Sequence, residues 1–147
     1  MISDIISKQI TKAMKERDEV RVSTLKLLSS ALTNAEIDKK RKKLTKEEEL
    51  EIVRYEAKKR KDAIEIFEKV GQRDKVEREK EELEILQEYL PKELDDSELE
   101  KIVADSIEQS GASTMADFGK VMGIAMGKTE GRSDGNKVSA IVKKKLS

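Results

Sequence analysis

Apolar residues along this chain recur mainly every three or four positions, the spacing of one face of an α-helix. No segment alternates apolar and polar residues as a half-buried strand does. The apolar stripes are interrupted at a few polar, glycine or proline positions, and these interruptions divide the chain into seven predicted helices. The interruptions lie at Arg17–Asp18, Lys39–Lys43, Gly71, Pro91–Asp96, Gly111 and Gly131–Gly135. We therefore expect an all-α fold without strands.

Capping signals support these boundaries. Two segments, Thr45–Glu48 and Asp95–Glu98, have the sequence of a capping box, in which the first and fourth side chains satisfy each other's backbone N–H groups. Further helix N-caps are predicted at Asp18 and Thr114 (with Asp117), and glycine helix ends at Gly71 and Gly111.

The third and fourth helices should form a long antiparallel hairpin, since about 25 residues at 1.5 Å each give roughly 38 Å. Pro91, the only proline, stops the fourth helix, and the segment from Pro91 to Asp96 is the best linker candidate. We expect a helical N-terminal domain over residues 1–92 and a small three-helix C-terminal domain over residues 95–147.

The apolar stripes of the hairpin carry charged residues, notably Arg60, Glu79 and Lys80. We interpret them as aliphatic stems that pack on the stripe with their charged heads in water, rather than as a functional ion pair. The four aromatic residues are interpreted as core or boundary residues. They are Tyr55, Phe67, Tyr89 and Phe118.

Five of the seven glycines recur at a spacing of four residues, in an otherwise nearly glycine-free chain: Gly119, Gly123, Gly127, Gly131 and Gly135. Each glycine inside a helix costs about 1 kcal/mol relative to alanine, so some interaction should offset the cost. Positions four apart share one helix face, which predicts a smooth strip that another backbone could approach. We favour close packing between the last helices over direct contact with an RNA backbone, and the two are compatible.

Composition removes several classes of protein. The chain has no cysteine and no histidine, so it lacks disulfides, thiol chemistry and the commonest general base and metal ligand. No catalytic pair, cofactor site or metal site can be located. No apolar run is long enough to cross a membrane, and the N-terminus has no signal-peptide pattern, so we expect a cytoplasmic protein with no membrane partner.

Charge is balanced overall, with 31 basic and 31 acidic residues, but it is unevenly distributed. Residues 91–110 contain two basic and seven acidic side chains, whereas residues 111–147 contain seven basic and three acidic ones. A local basic surface attracts polyanions even when the net charge is zero. Candidate RNA-binding residues are Lys120, Lys128, Arg132, Lys137, Lys143 and Lys144.

The segment from Gly131 to Gly135 leaves two interpretations open. It is either a plain turn in which Asp134 caps the last helix, or a site where Lys128 and Arg132 hold a phosphate beside that helix's N-terminus. The basic runs Lys39–Lys43 and Lys58–Lys61 are interpreted as solvated surfaces, because acidic residues adjoin them. Without interleaved aromatics, any RNA contact should be to phosphates and shape, and no DNA partner is expected.

These segments together resemble a known family. Asp117-Phe-Gly-Lys-Val-Met-Gly123, Gly131-Arg-Ser-Asp-Gly135 and the short terminal helix are similar to the GatB/YqeY domain. Ala13–Leu28 and Glu84–Leu94 resemble the N-terminal and linker regions of stand-alone YqeY-like proteins. The resemblance covers essentially the whole chain.

The resemblance implies a tRNA-associated accessory protein. The GatB/YqeY domain is the tail of the B subunit of the tRNA-dependent amidotransferase, a carbon-nitrogen ligase with glutamine as amido donor, and the chemistry lies outside that tail. The implied partners are tRNA, aminoacyl-tRNA or amidotransferase components, without an active site in this chain. The alternative is a protein–protein adaptor that uses the charged hairpin and has no RNA role.

Overall fold

The computed structural model describes all 147 residues, which form helices and their connections without any strand. Seven α-helices, numbered in chain order, confirm the all-α prediction. Their bounds are α1 Ile2–Lys15, α2 Glu19–Asp38, α3 Lys46–Lys69, α4 Arg73–Gln87, α5 Asp96–Ser110, α6 Phe118–Thr129 and α7 Gly135–Leu146. A 3-10 turn, Met115–Asp117, directly precedes α6.

Most predicted helix ends are formed by the residues that the sequence indicated. Both capping boxes are present, with reciprocal hydrogen bonds of 3.2 Å between Thr45 and Glu48 and of 2.7 and 3.0 Å between Asp95 and Glu98. Thr114 differs from the prediction, because its hydroxyl caps the 3-10 turn rather than α6 itself.

The chain divides into two compact units, Met1–Leu90 and Pro91–Ser147. The segment predicted to be a linker belongs to the C-terminal unit. Leu94 is buried in that unit's core, and its backbone N–H donates to the carbonyl of Arg132 at 2.9 Å. Independent folding of the two units stays a prediction.

The N-terminal unit contains α1–α4 around one apolar core. Its buried members are Ile6, Leu28, Leu32, Leu44, Val53, Ala57 and Leu86. Not every apolar residue of α1 contributes to a core: Ile6 and Ala13 are buried, whereas Ile5 and Met14 are exposed.

A buried carboxylate fixes the start of α1. The side chain of Glu49, in α3, is 1% exposed. It accepts hydrogen bonds from the backbone N–H groups of Ile2 at 3.0 Å and Ser3 at 2.8 Å. The first N–H groups of a helix have no partner within the helix, and a negative charge there is favourable. Glu49 therefore caps α1 from a distant part of the chain. The residue before α1, Met1, contributes no side-chain cap of its own.

The charged residues on the apolar stripes of the α3–α4 hairpin differ in exposure: about half of the Lys80 side chain is exposed, as predicted, whereas Arg60 is largely buried. Arg60 has only 12% of its side chain exposed and lies among three carboxylates. Its guanidinium nitrogens are 3.3 Å from Glu56, 3.8 Å from Glu79 and 3.5 Å from Glu82. The solvated interpretation is therefore wrong for Arg60, which joins the two helices through a largely buried ion cluster.

Burial also shifts the ionisation of Glu79, one of the three carboxylates. The pKa of the Glu79 carboxyl is raised by desolvation and by the neighbouring charge of Glu82, and Arg60 only partly opposes this. Glu56 and Glu82 are themselves buried. The hairpin thus places several carboxylates around one arginine in a region of low exposure.

Candidate nucleic-acid interface

The C-terminal unit holds every residue that the sequence singled out for RNA contact. Helices α5, α6 and α7 pack around one apolar core. Its buried members are Leu94, Leu99, Val103, Val121, Ala125, Val138, Val142 and Leu146. This core leaves the opposite sides of α6 and α7 exposed to solvent.

The connection between α6 and α7 is a tight, left-handed turn. Glu130 and Gly131 have φ values of 50° and 74°. The backbone N–H of Arg132 then donates to the carbonyl of Thr129 at 2.9 Å. Asp134 caps α7, and its carboxylate accepts from the N–H of Asn136 at 2.8 Å. The interpretation of Asp134 as a helix cap is confirmed, and its carboxylate already accepts from one of the first N–H groups of α7.

Arg132 has a structural role that the sequence did not reveal. Its Nε donates to the carbonyl of Lys92 at 2.8 Å, while its own carbonyl accepts from Leu94. Arg132 therefore fastens the segment after Pro91 to the α6–α7 turn. Its sequence showed only a basic residue in a glycine-flanked turn, and no local signal identifies a partner 40 positions away.

The glycines of α6 do not pack against another helix. Gly119, Gly123 and Gly127 are exposed, and a Cβ atom built on any of them would have no heavy atom within 4 Å. The predicted close packing is therefore wrong for these three residues, which we call the glycine face. At Gly135 an added Cβ would make only an ordinary 3.8 Å contact with Met126. Gly131 has a positive φ, which glycine adopts without steric cost.

The candidate lysines fall into two groups. Lys120 donates to the carbonyl of Ser110 at 3.2 Å, at the C-terminal end of α5, and the amine of Lys143 lies 5.8 Å from the centre of the Phe118 ring. Lys128, Lys137 and Lys144 are exposed and form no ion pair within the chain. Lys137 and Lys144 are seven residues apart, so they lie on the same face of α7. The second group is available to an external anion.

Other chemistry is not indicated by the arrangement of side chains. No group of three or more acidic residues is placed to hold a metal ion. None of the helices combines the length and apolar character needed to cross a membrane. The predictions of no catalytic site and no cofactor stay predictions.

The fold and the basic C-terminal surface define a class of small, two-unit helical proteins with a candidate polyanion-binding surface. The sequence matches the YqeY-like protein family over residues 3–146. The chain belongs to this family, as the sequence resemblance indicated.

Two curated relatives are mitochondrial proteins of yeasts, both called altered inheritance of mitochondria protein 41. The one from Lachancea thermotolerans is 38% identical over 58% of this chain and 46% of its own length. The one from Vanderwaltozyma polyspora is 31% identical over 79% of this chain and 66% of its own length. The chain thus spans about half to two thirds of these relatives. Their names place those two proteins in mitochondria, and the cytoplasmic location expected for this chain stays a prediction.

Proposed function

We propose that this protein binds tRNA through the outward faces of α6 and α7, as an accessory protein similar to the tail of the tRNA-dependent amidotransferase. The observation that carries the proposal is the exposed glycine face. Three exposed helical glycines cost up to about 1 kcal/mol each relative to alanine. Contacts within the chain do not offset that cost, because nothing packs against these positions. Contact with an external partner that approaches the helix backbone closely would compensate for the free-energy cost of these glycines.

RNA suits this surface better than DNA does. Without a Cβ atom, the helix backbone at Gly119 and Gly123 can come close to a ribose–phosphate chain. A helix carbonyl has a second lone pair that can accept from a ribose 2′-hydroxyl, a group that DNA lacks. The surface has no exposed aromatic ring for base stacking, because Phe118 is half-buried and lies beside Lys143.

The unpaired lysines would supply the electrostatic part of binding. Lys128, Lys137 and Lys144 can each neutralise a phosphate and release counterions. The net charge of the chain is zero, so nonspecific attraction should be weak and salt-sensitive contacts should depend on these few residues.

A salt titration tests the proposal. We expect tRNA affinity of the full chain to fall with salt, and Lys128→Glu or Lys137→Glu to weaken binding and lower the log–log salt slope by about 1 each. Lys58→Glu, on the exposed side of the hairpin, is the matched control and should change little. Arg132→Gln also tests the structural role of Arg132, because that change removes the hydrogen bond from its guanidinium to the carbonyl of Lys92.

The competing function is a protein–protein adaptor. It is favoured by three large exposed apolar side chains, Tyr55 and Ile66 in α3 and Val70 directly after it. Folded protein that binds no tRNA at low salt, or that responds only to substitutions in α3, would replace the tRNA proposal with the adaptor.

A further inference from the structure

The outer side of α3 carries an apolar and charged seam that no other part of the chain covers. Tyr55 was expected in the core or at its boundary, but it is 64% exposed, and Ile66 and Val70 are 60% and 61% exposed. Tyr55 and Ile66 lie eleven residues apart, about three full turns, so both point in nearly the same direction. Val53 and Ala57, at the core side of the same helix, are fully buried.

The seam continues through charged residues at the same spacing. We call the following set of exposed residues the α3 seam: Glu51, Tyr55, Lys59, Asp62, Ile66 and Lys69. Successive members are three or four residues apart, so all of them lie on one face of the helix. Three of these charges, Glu51, Asp62 and Lys69, form no ion pair within the chain.

We infer that the α3 seam is the contact surface for a second copy of this chain, with the two α3 helices antiparallel. In an isologous contact, residue i of one copy meets residue j of the other, and residue j of the first meets residue i of the second. Because the two helices are antiparallel, one step forward along one helix is one step back along the other. The residue numbers of every facing pair therefore have the same sum. With a sum of 121, Tyr55 meets Ile66 of the other copy and Lys59 meets Asp62. In the same register Glu51 meets Val70, and Lys69 is the adjoining residue of the other copy. The two central pairs of the seam are therefore complementary, and each Glu51 lies near a basic residue of the other copy.

Other arrangements lack this complementarity. A parallel pair would place Lys59 against Lys59 and Asp62 against Asp62, and like charges facing each other are unfavourable. Shifting the antiparallel register so that Tyr55 meets Val70 would place Lys59 against Ile66. The charges therefore favour the antiparallel register with a sum of 121 over these two alternatives.

The size of the seam sets the expected strength. Residues 51–70 span about 30 Å of helix. Such a contact lies at the small end of specific interfaces, where dissociation constants are commonly in the micromolar range or weaker. Lys59 already lies 3.0 Å from Glu56 and 5.0 Å from the Tyr55 ring centre. These contacts hold its side chain on the seam before a second copy arrives.

Sedimentation equilibrium of the full chain, from about 1 to 300 μM, tests the inference. We expect the average mass to rise with concentration from 16.7 kDa towards twice that value. Ile66→Glu should abolish the rise, and Lys59→Glu should weaken association about tenfold because the two-fold axis doubles each change. The double variant Lys59→Glu with Asp62→Lys should restore association. Lys58→Glu, beside the seam, is the control for charge alone.

Engineered thiols test the orientation, since the natural chain has no cysteine. When equal amounts of the Tyr55→Cys and Ile66→Cys chains are mixed in a redox buffer, random pairing would give half of the disulfide-linked dimers as the mixed species. We expect the mixed disulfide to form a clearly larger fraction. A monomer throughout the concentration range, association that survives both Ile66→Glu and Lys59→Glu, or a preferred Tyr55→Cys homodisulfide would each overturn the inference.

Discussion

Replacing Arg60 by methionine should destabilise the N-terminal unit more than any other single charge removal in the hairpin. Methionine keeps much of the unbranched apolar stem but removes the guanidinium that lies within 3.8 Å of Glu56, Glu79 and Glu82. Two of these carboxylates belong to buried residues. Removing one partner of a buried ion pair typically costs about 3–5 kcal/mol, because the remaining charge stays desolvated and unpaired.

The matched control is Arg78→Met. Arg78 also reaches Glu82, at 3.7 Å, but about half of its side chain is exposed. Exposed ion pairs contribute about 0–1 kcal/mol. The two variants lose the same charge from neighbouring positions of one cluster, so the difference between them measures the effect of burial.

Urea unfolding of each variant at neutral and mildly acidic pH is the assay. The pKa of Glu79 is already raised by burial and by Glu82, and Arg60 is the first of the charges that oppose this. Removing Arg60 should therefore favour the protonated form of Glu79 further in the folded state. A group whose pKa is raised on folding adds stability as pH falls, so the deficit of Arg60→Met should shrink on acidification. A loss below about 1 kcal/mol at neutral pH, or a deficit that grows as pH falls, would refute the importance of the buried cluster.

Three further changes test separate contacts. Glu49→Ala should cost about 1–3 kcal/mol in unfolding free energy by leaving the N–H groups of Ile2 and Ser3 without their acceptor, whereas the exposed neighbour Glu47→Ala should cost little. Glu79→Gln should equal or exceed the wild type in stability at neutral pH, because the raised pKa of Glu79 means that its charged form is disfavoured by folding; the advantage should vanish below that pKa. Gly123→Ala should raise the stability of the C-terminal unit by up to about 1 kcal/mol, measured by thermal or urea unfolding.

Local signals in the sequence determined most of the helix boundaries. Capping boxes depend on side chains three residues apart, so Thr45 with Glu48 and Asp95 with Glu98 were predicted from the sequence alone. The α6–α7 turn was predicted for the same reason, since Asp134 and the adjoining glycines act within a few residues of one another.

Contacts between distant residues could not be predicted in this way. Glu49 caps α1 from 46 and 47 positions away, and Arg132 reaches Lys92 from 40 positions away. Periodicity did place Arg60 on the apolar stripe of α3. Burial of its guanidinium depends on where α4 packs, which a pattern within α3 does not specify.

For the glycine face, the sequence indicated that three glycines share one side of a helix but not that this side is exposed. The glycine spacing correctly indicated one helix face, yet spacing is equally consistent with a buried and an exposed strip. A buried strip would offset the cost of glycine by close helix contact. The exposed strip on α6 leaves that cost in place, and this is the observation that supports the proposed contact with RNA.

Gly123→Ala therefore distinguishes a structural from a functional cause for the glycine face. A methyl group there meets no atom of the chain, so the variant should fold at least as stably as the wild type. If tRNA contacts the backbone at this face, the same methyl group should weaken binding, and Gly123→Leu should weaken it further. Ser97→Ala, at an exposed position of α5, a helix that the proposed contact does not involve, provides a control for a change of similar size. Higher stability with weaker binding would mean that the glycine is retained for the partner, whereas higher stability with unchanged binding would remove the glycine face from the interface and leave only the lysines.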